Sequence, residues 1–118
     1  TLPTNIGSLF DLGFGEKLKL ARRLNVSALD LKGLKDTLSS DDPTKEDLDE
    51  ARDFLGNHFF TKTSPSNLDK VISLARKLLK EDGLGVDAKR DLVAEMCFCI
   101  DSDDLKFCCE KLGGKLSS

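Results

Sequence analysis

Leu68, Val71, Ile72, Ala75, Leu78 and Leu79 fall at i, i+3, i+4, i+7, i+10 and i+11, the spacing of an amphipathic helix with one buried side. It is the widest and most continuous apolar face in the chain, so it predicts the central buried helix. Ser66 or Asn67 is the expected N-cap, Asp69 is placed to favour the helix dipole, and Gly83 is the expected stop. Strand signals are nearly absent: apolar residues recur at three and four, and there is no Tyr or Trp. The fold class expected is therefore all-α.

The remaining punctuation divides the chain into further short helices. Asp42-Pro43-Thr44 starts one, with Thr44 as N-cap, Glu46 and Asp47 in the first turn, and Leu48, Ala51, Phe54 and Leu55 inward. Gly56 or Asn57 ends it, and His58 to Ser66 reads as a loop or single turn. Asp87 is the expected cap of the next, whose inner face is Leu92, Val93, Met96, Cys97 and Ile100. Ser102 or Asp103 caps the last, which buries Leu105, Cys108 or Cys109, and Leu112 before Gly113-Gly114. Upstream, Ala28 to Leu38 and Glu16 to Leu24 each carry a helical stripe. Six to seven short antiparallel helices with short joints make a compact bundle. At 118 residues the chain is one domain that can bury a core without metal or disulfide help. The organisation expected is an N-terminal extension over 1–25 with one extra helix, a helical domain over 26–113 and a tail over 114–118. A five-residue echo between Leu20-Ala21-Arg22-Arg23-Leu24 and Leu74-Ala75-Arg76-Lys77-Leu78 is common helix vocabulary and poor evidence of duplication.

Charge and composition narrow the function. A formal net charge of −3 gives no electrostatic case for nucleic acid or an anionic membrane. No apolar run reaches the roughly 20 residues that span a bilayer, and no basic-then-apolar leader opens the chain. The single histidine, His58, is far in sequence from Cys97, Cys99, Cys108 and Cys109, and no cysteine sits in a recognisable nucleophile context. Gly13-Phe14-Gly15 follows no strand, and Gly83-Leu84-Gly85 reads as a joint between helices rather than a phosphate loop. Asp101 to Asp104 lacks the glycine and closing glutamate of a calcium loop. The expectation is a protein without catalytic residues, metal or cofactor. The cysteines read as small buried hydrophobes in a reducing compartment, the cytosol. The alternative is a secreted carrier of an apolar ligand, stapled by two disulfides through those four cysteines.

The junction Asp101-Ser102-Asp103-Asp104-Leu105 is richer in acids than two helices sharing a core require. Acids in a helix's first turn are favourable by dipole alone, by about 0.3–1 kcal/mol each, so capping and docking both account for Asp47 and Asp104. Phe54, Phe59 and Phe60 read as core ahead of contact residues.

In order along the chain, Ala28 to Leu38, then Thr44-Lys45-Glu46-Asp47-Leu48 with Phe54-Leu55, then Ser73 to Leu84, then Ile100-Asp101-Ser102-Asp103-Asp104-Leu105 resemble the elements of death effector domains of the death-fold superfamily. The likeness covers roughly residues 27 to 113. It implies a six-helix bundle that binds other proteins in apoptosis and inflammation signalling, as a cytoplasmic adaptor or regulator without enzymatic activity. The implied partner is another protein, with a death-fold domain or a second copy among the candidates, and neither nucleic acid nor a membrane span. The family's charge triad joins an acid on the second helix to an R-x-D-L motif; Asp47 matches the first acid and Asp104 the aspartate, while Ser102 stands at the arginine position. The resemblance thus gives Asp47, Ser102, Asp103, Asp104 and Phe54 as partner-binding residues.

Overall fold

The computed structural model describes residues 27–81, 83–107 and 110. Every regular element among them is helical: α1 (Ala28–Ser39), α2 (Lys45–His58), α3 (Pro65–Lys80), α4 (Val86–Cys99) and a last helical stretch over 102–107, called α5. The all-α expectation holds, with five helical stretches within the described residues. The helix expected over 16–24, the extension over 1–25 and the tail over 114–118 lie outside them, as do Cys108, Cys109 and Leu112.

The helix from the leucine stripe is the centre of the bundle: α3 packs against α1, α2 and α4. Leu68, Val71, Ile72 and Ala75 are buried on it, and Leu74 and Leu79 pack at the edge of the core. Leu78 is half-buried. Leu31, Leu34 and Leu38 come in from α1, Ala51 and Leu55 from α2, and Val93, Met96 and Cys97 from α4. Phe59, Phe60 and Ile100, just beyond helix ends, complete the core. Burial of one such side chain contributes about 1.5–3 kcal/mol. Gly56 sits where α2 meets α3; a Cβ there would lie 3.2 Å from Leu68 Cδ1.

The joints show why the helices begin where they do. Thr44 caps α2 as expected, and the cap is reciprocal: Asp47 N–H donates to Thr44 Oγ1 at 3.0 Å and Thr44 N–H to the Asp47 carboxylate at 3.2 Å. Helix α3 starts earlier than the expected Ser66 or Asn67. Ser64 is its cap and accepts from Asn67 N–H, and Pro65 takes the first position, where a missing N–H costs nothing. Helix α2 runs on to His58, so the expected loop shrinks to 59–64. Asp87 lies in the first turn of α4, and Gly85 holds the cap position without a side-chain bond. Past α3, Gly83 adopts φ +77°, a left-handed turn that favours glycine.

The end of α1 is fastened to α3 by two cations. Arg76 donates to the Ser40 carbonyl at 2.9 Å, and Lys80 donates to the same oxygen at 3.1 Å. Both stand at the negative end of the α1 dipole, where cations are stabilising. Lys80 also pairs with Asp41 at 3.0 Å, and this ammonium holds the Asp41 carboxyl below its usual range by hydrogen bond and by charge.

Replacing Ile72 with Ala should cost about 2–5 kcal/mol by transfer loss plus cavity, and Leu78→Ala clearly less. Urea unfolding of the two variants checks the ranking. Equal losses would mean that the inner face of α3 is assigned to the wrong residues.

Candidate functional site

The acidic junction after α4 turns inward. Asp104 is only 3% exposed. Its carboxylate accepts the Lys62 N–H at 3.0 and 3.2 Å and the Thr63 hydroxyl at 2.5 Å. Thr63 Oγ1 also accepts Asp101 N–H at 3.0 Å, so one buried hydroxyl serves both strands of chain. Asp101, not Ser102 or Asp103, caps α5: its carboxylate accepts Asp103 N–H at 2.9 Å and its carbonyl accepts Leu105 N–H at 3.0 Å. The junction is thereby locked to the 59–64 joint, whose Phe59 and Phe60 fill the core beneath.

Asp101, Ser102 and Asp103 stay exposed at this corner. Asp103 pairs with the Lys62 ammonium at 2.9 Å. That hydrogen bond, then the charge behind it, holds the Asp103 carboxyl below its usual 3.8 and the Lys62 ammonium above its usual 10.5. The pair's contribution is present above pH about 4 and is lost as pH falls through the lowered carboxyl value. It is likewise complete below about pH 10 and lost as pH rises through the raised lysine value, so it is intact at neutral pH.

Asp47 and Phe54 lie elsewhere. They share an open groove of about 290 Å³ between α1 and α2 with Leu29, Asp30, Gly33, Leu34, Thr37, Glu50 and Ala51. Leu34, Ala51 and Phe54 bring apolar side chains to it, its accessible lining is polar and apolar in similar measure, and Leu29 is 78% exposed. Asp30, Asp47 and Glu50 supply three carboxylates, and no described lining residue carries a positive charge. Phe54 is held from below by His58 at 4.8 Å and by Phe59 at 5.6 Å between ring centroids.

The structure therefore divides the five expected binding residues between two places. Asp47 and Phe54 meet in the groove; Asp103 and Asp104 engage Lys62 and Thr63, with Ser102 beside them. Asp47 and Asp104 have no hydrogen-bond partner in common. Asp104, expected as a contact residue, has its carboxylate committed to the 59–64 joint, out of a partner's reach. Sequence reasoning missed Leu29, Asp30 and Glu50 at the groove; an exposed leucine and acid in the first turn of a helix was the available signal. It also missed Lys62 and Thr63, which nothing local marks.

Of the cysteines, Cys97 is a buried thiol in the core and Cys99 a half-buried one at its edge. No group of three or more potential metal ligands occurs among the described residues, and no described helix is long and apolar enough to cross a membrane. Comparison with protein-family models, curated proteins and solved structures finds no match to this chain.

Asp104→Ala strips the acceptor from a part-buried N–H and a buried hydroxyl, and should lower stability by about 2–4 kcal/mol. Asp103→Ala breaks only an exposed ion pair and should cost far less. Denaturant unfolding at pH 7 measures both. A negligible loss at Asp104 would show that the junction is not latched.

Proposed function

We propose that this chain is a non-enzymatic protein-interaction module of the death-fold type, a cytosolic adaptor or regulator that engages a partner through helix surfaces. The observation that carries this reading is the groove between α1 and α2. Asp47 and Phe54, two of the family-matched residues, share one open surface where apolar side chains stand beside three carboxylates. An apolar centre with a charged margin is the usual anatomy of a specific contact, and a single-signed rim selects a partner of opposite sign and speeds encounter. The helical architecture and the buried Cys97 thiol agree with this reading. The partner chemistry it favours is a helix bearing lysine or arginine around an apolar anchor.

The test is titration of the full chain against a panel of recombinant death effector domains and against itself. The expected result is saturable binding to at least one, weakened as salt shortens the Debye length below about 8 Å, and lost in Glu50→Lys while the fold is kept. Glu50 is exposed, so that variant separates binding from stability. Binding to none of them, or binding indifferent to Glu50→Lys and to salt, sinks the reading.

A further inference from the structure

Phe98 on α4 is 84% exposed, the most open of the large apolar side chains among the described residues. A single exposed ring is ordinary on a protein surface, but Phe98 is not isolated. With Leu74 and Cys99 it lines a shallow hollow of about 440 Å³ in the seam between α3 and α4, bordered by Lys70, Ser73 and Glu95.

The two helices bring opposite charges to that seam. On α3, Lys70, Ser73 and Lys77 recur at i, i+3 and i+7, and all three are exposed. On α4, Asp91, Glu95 and Phe98 recur at i, i+4 and i+7, and all three are exposed. None of Lys70, Lys77, Asp91 and Glu95 has an ion pair among the described residues. A purely cationic or purely anionic partner would be attracted by one row and repelled by the other. A second copy of this chain carries both signs, and carries them in the matching order.

That order follows from how the helices run. A short joint makes α3 and α4 antiparallel neighbours, and the shared hollow sets Lys70 and Leu74 level with Phe98 and Cys99. Lys77, two turns along α3, then comes level with Asp91, two turns back along α4. A two-fold axis along the seam keeps each level and exchanges the helices. It sets Lys77 over the second copy's Asp91 and Glu95 between the second copy's two lysines. It also lays each Phe98 over the other hollow, an isologous contact. One such ring buries about 150–250 Å², so two fall well short of the roughly 1,000 Å² of a durable interface. The charged rows have to close as well. They close over two turns, because beyond them Glu81 and Asp87, both exposed, would meet as like charges. The dimer is therefore reversible and sensitive to salt.

We propose that this chain self-associates as a two-fold dimer through the α3–α4 seam, Phe98 of each copy seated in the hollow of the other and the lysines of α3 against the acids of α4. This face shares no lining residue with the groove between α1 and α2, so the dimer and the function proposed above stand or fall separately.

Sedimentation velocity of the full chain over a rising concentration series tests the dimer, with reductant present so that Cys99 is not the link. The expected result is a monomer–dimer equilibrium that weakens as salt is added. Phe98→Ser should raise the dissociation constant about tenfold or more, with helical circular dichroism and unfolding midpoint kept. Lys77→Glu and Asp91→Lys should each be monomeric alone, because each sets like charges face to face. Their equimolar mixture should recover a heterodimer, since each variant supplies the charge that the other has lost. Glu50→Lys, in the groove, should change nothing. A monomer at every concentration overturns the proposal, and so does a dimer that survives Phe98→Ser. A mixture no more associated than its two components overturns it too. A dimer dissolved by Glu50→Lys runs through the groove and overturns it as well.

Discussion

A carboxylate removed from water must be given hydrogen bonds in return, and Asp104 receives them from Lys62 and Thr63 across more than forty residues of chain. Much of the bundle depends on that exchange. The 59–64 joint carries Phe59 and Phe60, two of the largest fully buried side chains. Its backbone has to be held while the rings point inward. Phe59 and Phe60 N–H both reach back to the Leu55 carbonyl, and Thr63 N–H to the Phe60 carbonyl. The Lys62 N–H and Thr63 hydroxyl are left for the junction after α4. An apolar residue at 104 could cover the same surface but could accept from neither donor.

The opposite end of the bundle is fastened by different means. Arg76 and Lys80, both on α3, reach the Ser40 carbonyl, so the helix that buries its leucine stripe also holds the turn from α1 to α2. Helix α3 is thus bound to its neighbours by apolar area along its length and by charge at its C-terminal end. The groove's two walls, α1 and α2, are joined through this turn, pack directly on one another and both rest on α3.

Helix existence and most of the core were legible because burial on a helix leaves a periodic trace. Leu68, Val71, Ile72 and Ala75 are buried as their spacing predicts, and the Thr44 to Asp47 cap is a local motif. Helix starts were less legible because caps compete: Ser64, Ser66 and Asn67 are all good capping residues, and Pro65 at the first helical position decided the matter for Ser64. The same competition hid Asp101 behind Ser102 and Asp103. Burial of Asp104 was not legible at all. An aspartate in a first turn is ordinarily exposed, and only the approach of residues far off in sequence turns it inward. The groove was half visible. Asp47 and Phe54 stood out on α2, whereas Leu29 and Asp30 acquire meaning only when α1 lies beside it.

Two acidic features of one chain thus use charge in contrary ways. At the junction the acids are consumed: Asp104 by a backbone amide and a hydroxyl, Asp103 by Lys62, Asp101 by the cap of α5. At the groove, Asp30 and Glu50 stand beside apolar side chains with no cation among the described lining residues, and like charges gathered there repel one another. That repulsion is tolerable beside water, but it falls when a cation arrives, so a basic ligand gains both its own attraction and relief of the rim. Acids engaged by their own chain build structure, and the proposed binding surface draws on acids left facing the groove.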